Sequence, residues 1–401
     1  LKSALFNLLV LLLLLDCTII HAQETDSSVH IKVEQRDVVD YSRIWFGLKP
    51  SSKSDMKPGD KPVLSVLPAV GYTLQTRLAG IISGNLAFYT RKQKDAKLSV
   101  INSSMTYSQN KQFFIPIQTN LWTLHDQVNL LGDWRYMKYP QSTFGLGSDA
   151  PVQNENPMDF RYVRFYQYLL IRVTDHLSAG PGFQFDKRWD ISEKGLPGNQ
   201  ASDYALYGAS SQTTSAGISA NLLFDKRDNP INAQKGIYAN IVARTNPSNW
   251  NASPWSSLIL DVRKYIPVSS NGKNVLALWS YNWLILSGKP PYLDLPSTGW
   301  DNFNNTGRGY IQGRFRGKQF VYAEAEYRFR ITANGLVGAV VFTNIQTASG
   351  WPDRHLQQWQ PAAGGGIRIK LNKKSNTNVA IDYGVGGKGS GGLSVNVGEV
   401  F

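Results

Sequence analysis

Apolar and polar residues alternate one by one along most of this chain, in short runs bounded by glycine, asparagine, aspartate and proline. A period of two puts successive side chains on opposite faces of an extended strand. The run 321–331 shows it best: Val321, Ala323, Ala325, Tyr327, Phe329 and Ile331 share one face, and Tyr322, Glu324, Glu326, Arg328 and Arg330 the other. Ile367, Ile369 and Leu371 likewise oppose Arg368 and Lys370, while Val379, Ile381 and Tyr383 oppose Ala380, Asp382 and Gly384. Leu258, Leu260 and Val262 oppose Asp261 and Arg263. Charge keeps to one face in each run. The pattern predicts about sixteen strands, at 63–72, 78–91, 97–107, 112–123, 127–138, 160–174, 176–189, 212–227, 236–247, 255–267, 274–287, 319–332, 335–348, 361–371, 377–386 and 393–401.

An oily face needs either a protein core or lipid, and the connections decide between them. Those after the sixth, tenth, twelfth and fourteenth predicted strands are tight, at 174–176, around Asn271, at 332–335 and around Lys374. Those after the fifth, seventh and eleventh are long, at 139–159, 190–211 and 288–318. Short turns at one end and long loops at the other mark an outer-membrane barrel with both chain ends in the periplasm. The expected fold class is therefore all-β, a transmembrane antiparallel β-barrel of about sixteen strands over residues 62–401. Closure matters because an open edge would leave backbone groups unpaired in hydrocarbon. On this reading Val321, Ala323, Tyr327 and Phe329 meet lipid, and the charged face lines a wet lumen.

Residues 1–22 read as a secretory signal peptide: Lys2, an unbroken apolar run over 8–15, and Ala22 before the expected cleavage. Cys17 keeps a lipoprotein alternative open, although Asp16 stands where such a signal wants a small residue. Past this leader no apolar stretch is long enough for a membrane helix. No cysteine remains either, so neither disulfides nor thiolate metal sites are expected. Residues 23–61 make a short periplasmic segment. Within it, 36–47 predicts a helix whose Val38, Val39, Tyr41, Ile44 and Trp45 form an apolar stripe, packed on the periplasmic rim or lying in the membrane interface. A net charge of +13 suits anionic lipid or a basic lumen, and secretion argues against nucleic acid.

One loop stands out. Residues 306–318, TGRGYIQGRFRGK, are rich in glycine and carry Arg308, Arg314, Arg316 and Lys318. With Arg308, Gly309 and Tyr310 at its centre, this stretch resembles the Arg-Gly-Phe/Tyr motif of the BamA/TamA-type outer-membrane assembly superfamily, the bacterial surface antigen family. The strand beginning at Glu326 is similar to the segment that follows the motif, the turn 224–238 to the family's Asp-Arg-Asp-Asn turn, and the last six residues, NVGEVF, to its carboxyl terminus. The resemblance implies a long extracellular loop folded back into a sixteen-stranded barrel, with Arg308 against acidic groups of the lumen wall. Glu326, on the charged face of the next strand, is the expected partner, in a pair that lumen water keeps weak. The alternative is that these arginines simply line a wet pore.

Two departures from the family pattern follow. Where relatives often carry an aspartate and a glycine in the thirteenth strand, this chain has Asn344 and Gln346, so Asn344 is expected to accept from Arg308 without bringing charge. The residues before the barrel, 23–61, are also too few for a polypeptide-transport-associated domain, which implies a member lacking such domains. Phe401 resembles the terminal aromatic by which barrels are recognised for insertion, on the face of Leu393, Val395 and Val397.

Catalysis has little support. His30, His125, His176 and His355 are isolated in sequence, no pair has metal-ligand spacing, and no cofactor is expected. The stretch 384–392, GVGGKGSGG, joins two strands and reads as a surface loop. Asp225, Arg227 and Asp228 read as a capped periplasmic turn, ahead of a cation site. The implied function is outer-membrane protein or lipid assembly or translocation, with outer-membrane lipids and assembly-complex proteins as partners. The alternative is a passive or plugged pore, or a structural scaffold.

Overall fold

The computed structural model describes residues 35–45, 47, 49, 59, 61–93, 96–250, 253–269, 274–352, 355–373 and 376–401. The leader expected at 1–22, with Cys17, and His30 lie outside the described residues. From the amino end come β1 (Val63–Thr73), β2 (Arg77–Tyr89), β3 (Leu98–Ser108), β4 (Phe113–Thr123), β5 (Val128–Lys138), β6 (Gln141–Thr143), β7 (Asn156–Arg172), β8 (Leu177–Glu193) and β9 (Thr213–Asp225). There follow β10 (Gly236–Asn246), β11 (Trp255–Pro267), β12 (Val275–Gly288), β13 (Gln319–Arg330), β14 (Val337–Ala348), β15 (Gln360–Asn372), β16 (Thr377–Gly386) and β17 (Gly391–Val397). Every pairing is antiparallel and between sequence neighbours except that β5 passes over β6 to pair with β7, and β1 returns to β17, so the sheet closes. The three-residue β6 continues the line of β5 along β7 after Tyr139 and Pro140, leaving sixteen wall strands.

Most predicted strands match within a few residues, because a wall with lipid outside and polar groups inside writes a period of two. Three differ for a physical reason. β7 and β8 extend to Asn156 and Glu193, into what reads as loop, and each has 17 residues. That exceeds the roughly 9–11 needed to cross a bilayer. The excess carries an aromatic dome, in which Tyr139, Phe160, Tyr162, Tyr204, Tyr292 and Trp300 are buried above the wall. The last strand ends at Val397, not 401: Gly398, at φ 105°, turns the chain out of the sheet.

Closure is uneven. Every residue from Val63 to Thr73 has a partner on β2, but β1 and β17 share one rung, Tyr72 opposite Val395. Pro68 sits in this poorly paired strand, where a missing N–H is best tolerated. Outside, Leu78, Ile82, Ile218, Leu222, Val341 and Ile367 are exposed as lipid contacts would be. Val321 is not: it is only 5% exposed, between the rungs to Asn282 and Thr347, so protein rather than lipid covers it.

The predicted helix forms as α1 (Val38–Trp45), docked beneath β15. Its acidic side makes the contact: Asp40 is fully buried on Lys373 at 2.6 Å, and Asp37 accepts from the Lys373 N–H at 2.7 Å. The apolar stripe is exposed instead of packed, with Trp45 88% accessible.

Candidate functional site

After β12 the chain turns inward. Gly288, Gly299, Gly307, Gly309 and Gly313 all have positive φ, a backbone region costly for residues with a Cβ. At Gly307 a Cβ would stand 2.3 Å from Thr298 Cγ2. The tip of the loop is organised by Asp301, whose Oδ1 accepts from Asn305 N, Thr306 N and Thr306 Oγ1 at 2.8–2.9 Å. From there the loop reaches both sides of the lumen. Tyr139 Oη donates to Gln312 Oε1 at 2.6 Å, Arg188 pairs with Asp294, and Arg135 donates to the Asn302 carbonyl.

Arg308 sits against three wall carboxylates. One guanidinium nitrogen pairs with Glu324 and, at 2.6 Å, with Glu326; the other lies 3.2 Å from Asp382. Its Cζ is 3.6 Å from the centroid of Phe342, a close cation–π contact. Water is nearly absent: the Arg308 side chain is 8% exposed and the three carboxylates 0–2%. The expectation of a pair weakened by lumen water is thereby corrected, since loop and wall glycines close over it. Burial works against the Arg308 charge, but Glu324, Glu326 and Asp382 outweigh it and push its pKa well above the ordinary value.

The pairing continues as a ring. Arg328 binds Glu326 at 2.6 Å; Arg368 binds Asp382 at 2.5 Å and Glu399 at 2.7 Å. Glu399 belongs to the four residues that leave the sheet at Gly398. These residues turn into the lumen, and Phe401 is 6% exposed, 5.1 Å from Trp279 and 6.3 Å from Tyr265 between ring centroids. Arg328 donates to the Phe401 carbonyl at 2.7 Å, and Asn305 of the loop tip donates to that of Val400 at 2.6 Å. Phe401 therefore does not share the outward face of Leu393 and Val397. The strand breaks before it, and an aromatic pocket receives it.

Asn344 lies beside the loop, but as a donor: its Nδ2 gives a 2.9 Å hydrogen bond to the Arg308 carbonyl, and it does not accept from the guanidinium. Gly309 and Tyr310 seat the loop on β16. Tyr310 Oη donates to the Pro361 carbonyl and accepts from Gly387 N–H, both at 2.7 Å. A Cβ at Gly384 would fall 2.8 Å from Gly309 N, and one at Gly386 2.5 Å from the Tyr310 ring. The first glycines of 384–392 are thus a seat for the loop and not a surface loop. Glu324, Asp382, Arg368 and Glu399 were missing from the expected set. Alternation put Glu324, Asp382 and Arg368 on the right face but not at the right height.

Arg314 and Arg316 behave differently from Arg308. Arg314 donates to the Ala150 carbonyl at 2.8 Å and lies over Phe144 and Phe315. Arg316, 1% exposed, donates to the carbonyls of Tyr292 and Leu295 at 3.3 and 3.2 Å. No carboxylate among the described residues pairs with it, and burial lowers its pKa to about 10.

At the end of the barrel opposite the long loops the turn after β9 is capped from within. Asp225 accepts from Arg227 N and Nε at 3.1 and 2.9 Å, Asp228 from Gln234 N at 2.9 Å, and Asn229 from Ile231 N at 2.8 Å. The donors to Asp225 are thus both backbone and guanidinium, with Arg227 Nη2 on Oδ2 at 2.7 Å, while Asp228 and Asn229 receive backbone N–H groups. The described histidines are scattered, with His125 and His176 on turns at the short-turn end and His355 on a loop at the other.

No protein-family model matches the sequence, and no curated protein matches it. Solved structures do resemble the fold. BamA from Haemophilus ducreyi lacking POTRA domains 1–3 superposes at a TM-score of 0.57 with 14% identity, over 84% of this chain and 70% of that one. CdiB from Acinetobacter baumannii gives 0.55 and 11%, over 85% and 60%. CdiB from Escherichia coli gives 0.50 and 11%, over 87% and 67%. At such identities the likeness is one of fold: this chain has the barrel of BamA and CdiB.

Proposed function

We propose that this protein is an outer-membrane barrel of the BamA/TamA-type assembly superfamily, working with other assembly-complex proteins to insert or export proteins or lipids. The observation that carries this reading is the seam. Where β1 and β17 share one rung, backbone groups of both strands lie unpaired at membrane depth, and such groups cost several kcal/mol each in hydrocarbon. An incoming strand that pairs with them relieves that cost, as strand addition does at any open sheet edge. The filled lumen argues against free diffusion as the main activity, because the loop spans it from β13 and β16 to β5 and β8. Arg308, Gly309, Tyr310, Glu326 and Asn344 hold that loop in place, with positional and not catalytic chemistry. The α1 helix and the short turns share one end of the barrel, which supports a periplasmic amino end.

The test is chemical cross-linking in native outer membranes followed by purification of the barrel. Recovery of assembly factors, or of unfinished barrel proteins cross-linked through β1, supports the reading. Large steady conductance in planar bilayers, with no protein cross-linked at β1, overturns it in favour of a passive pore.

A further inference from the structure

An amide side chain interrupts the outer face of the wall. β7 turns Phe165, Leu169 and Ile171 outward, 39–53% exposed, while Arg164 and Tyr166 are buried around Asp186 on the lumen side. A period of two therefore puts Gln167 outside, between Phe165 and Leu169. Along its rung, from β3 to β9, the outer face reads Ile101, Thr119, Gly132, Gln167, Phe183 and Ile218. The ends are apolar and the middle is polar. That middle is also a dimple: a Cβ on Gly132 would stand 2.5 Å from Thr119 Oγ1 and 3.2 Å from both Gln167 Oε1 and Trp134 Nε1. Three polar atoms thus converge on one point of the outer face. Gln167 Nε2 donates to the carbonyls of Leu131 and Tyr168 at 3.1 and 3.4 Å, which fixes the amide and leaves Oε1 at the dimple. Neither Oε1 nor the Thr119 hydroxyl has a hydrogen-bond partner among the described residues, although Thr119 is only 8% exposed. Trp134 Nε1 is buried and likewise unpartnered. Its ring is stacked on Phe165, with centroids 5.5 Å apart at 14°, and forms a flat ledge beside the dimple.

Depth decides what can meet these atoms. Gly132 is the fifth of the 11 residues of β5, and Thr119 the seventh of the 11 of β4. At about 3.3 Å per residue on a strand tilted by about 45°, the dimple lies roughly 10 Å from the short-turn end, inside a hydrocarbon band about 25 Å tall. Lipid head groups do not reach that depth, and an open carbonyl and hydroxyl there stay unsatisfied in hydrocarbon. A protein surface that brings a donor and an acceptor to the same depth satisfies both. This wall is itself such a surface: Thr119 donates, Gln167 accepts, and Gly132 between them lets two backbones come close. From this geometry we infer that the outer face of β4, β5 and β7 is a self-association surface. Two copies of the chain meet there about a two-fold axis beside Gly132, and each Thr119 hydroxyl donates to Gln167 Oε1 of the other copy. β5 lies four strands from β1 on a wall of sixteen, so the pair leaves the seam uncovered. The inference needs the wall to lie in a membrane and does not depend on what the seam does.

The experiment expresses two copies of the full chain together, with different affinity tags, and with Leu169 of one copy replaced by photoreactive benzoylphenylalanine. Irradiation of the membranes should join both tags in one product of twice the chain mass. Gln167→Leu in both copies should lower its yield about tenfold, the size of two intramembrane hydrogen bonds, with a parallel loss in Thr119→Val. An unchanged heat-modifiable gel shift verifies that each variant is a folded barrel. The same probe in place of Ile367, which is 49% exposed on β15 across the barrel, should give no such product. Four results overturn the proposal. A joined product indifferent to Gln167→Leu, or equal from Leu169 and Ile367, is crowding without a site. A product with a different protein alone assigns the face to another membrane partner, and no protein product at all leaves it to lipid.

Discussion

Two stretches of the same wall are built to opposite rules. β1 to β4 carry a single charged residue among them, Arg77 at the start of β2, and their lumen side presents Ser65, Asn85, Asn102 and Asn120, partly open to water. β13, β15 and β16 carry Glu324, Glu326, Arg328, Arg368 and Asp382, all buried. Buried charge demands a partner, and on this side the partner is the inserted loop, through Arg308. A neutral amide lining demands none. The charged half of the wall is therefore covered by the loop, while the lumen face of the neutral half is partly solvent-exposed and runs into the weakly paired seam.

Substitutions should separate the two halves by size and by sign. The largest effect is expected from Arg308→Ala, which strands Glu324 and shortens the supply of cations to Glu326 and Asp382. Removing one member of a buried pair costs about 3–5 kcal/mol, to be read as a lower midpoint of heat-modifiable migration with the barrel still assembled. Gly386→Ala comes next, at about 1–3 kcal/mol of overpacking, because the Tyr310 ring it meets is held at both sides of its hydroxyl. Limited proteolysis should then cut within 307–318 where the parent resists. Arg316→Met is expected to leave the midpoint unchanged or raise it, since an apolar side chain replaces a buried cation that carbonyls alone satisfy. The smallest effect belongs to the open half. Asn85→Ala removes a 2.6 Å amide contact with Asn102 that is exposed to water, and should change stability by less than about 0.5 kcal/mol. If Asn85→Ala matched Arg308→Ala, the contrast between the halves would fail.

The barrel was legible because lipid outside and water inside write themselves as alternation, and short turns against long loops tell its two ends apart. Arg308 and Glu326 were legible as chemistry. Height was not: nothing in a period of two says that Glu324 and Asp382 lie level with Arg308 once the strands tilt and the loop descends. Glycine was ambiguous in the same way, since Gly384 and Gly386 look like a loop in sequence but serve as space for Gly309 and Tyr310. Phe401 did not follow the apolar face of its strand, because Gly398 redirects it into a lumen pocket. In α1 the buried contact of Asp40 with Lys373 sets the orientation and leaves the apolar stripe outside, as the interfacial one of its two expected placements requires.

In the proposed function the seam is the feature that must open, and it can be locked. Tyr72 and Val395 face each other across its single rung, and opposed residues of antiparallel strands lie within disulfide reach. In cells depleted of the parent protein, a Tyr72→Cys, Val395→Cys variant should fold and reach the outer membrane yet fail to restore its function until a reductant opens the bond. Full function with the disulfide intact would contradict the proposal that this wall works by parting.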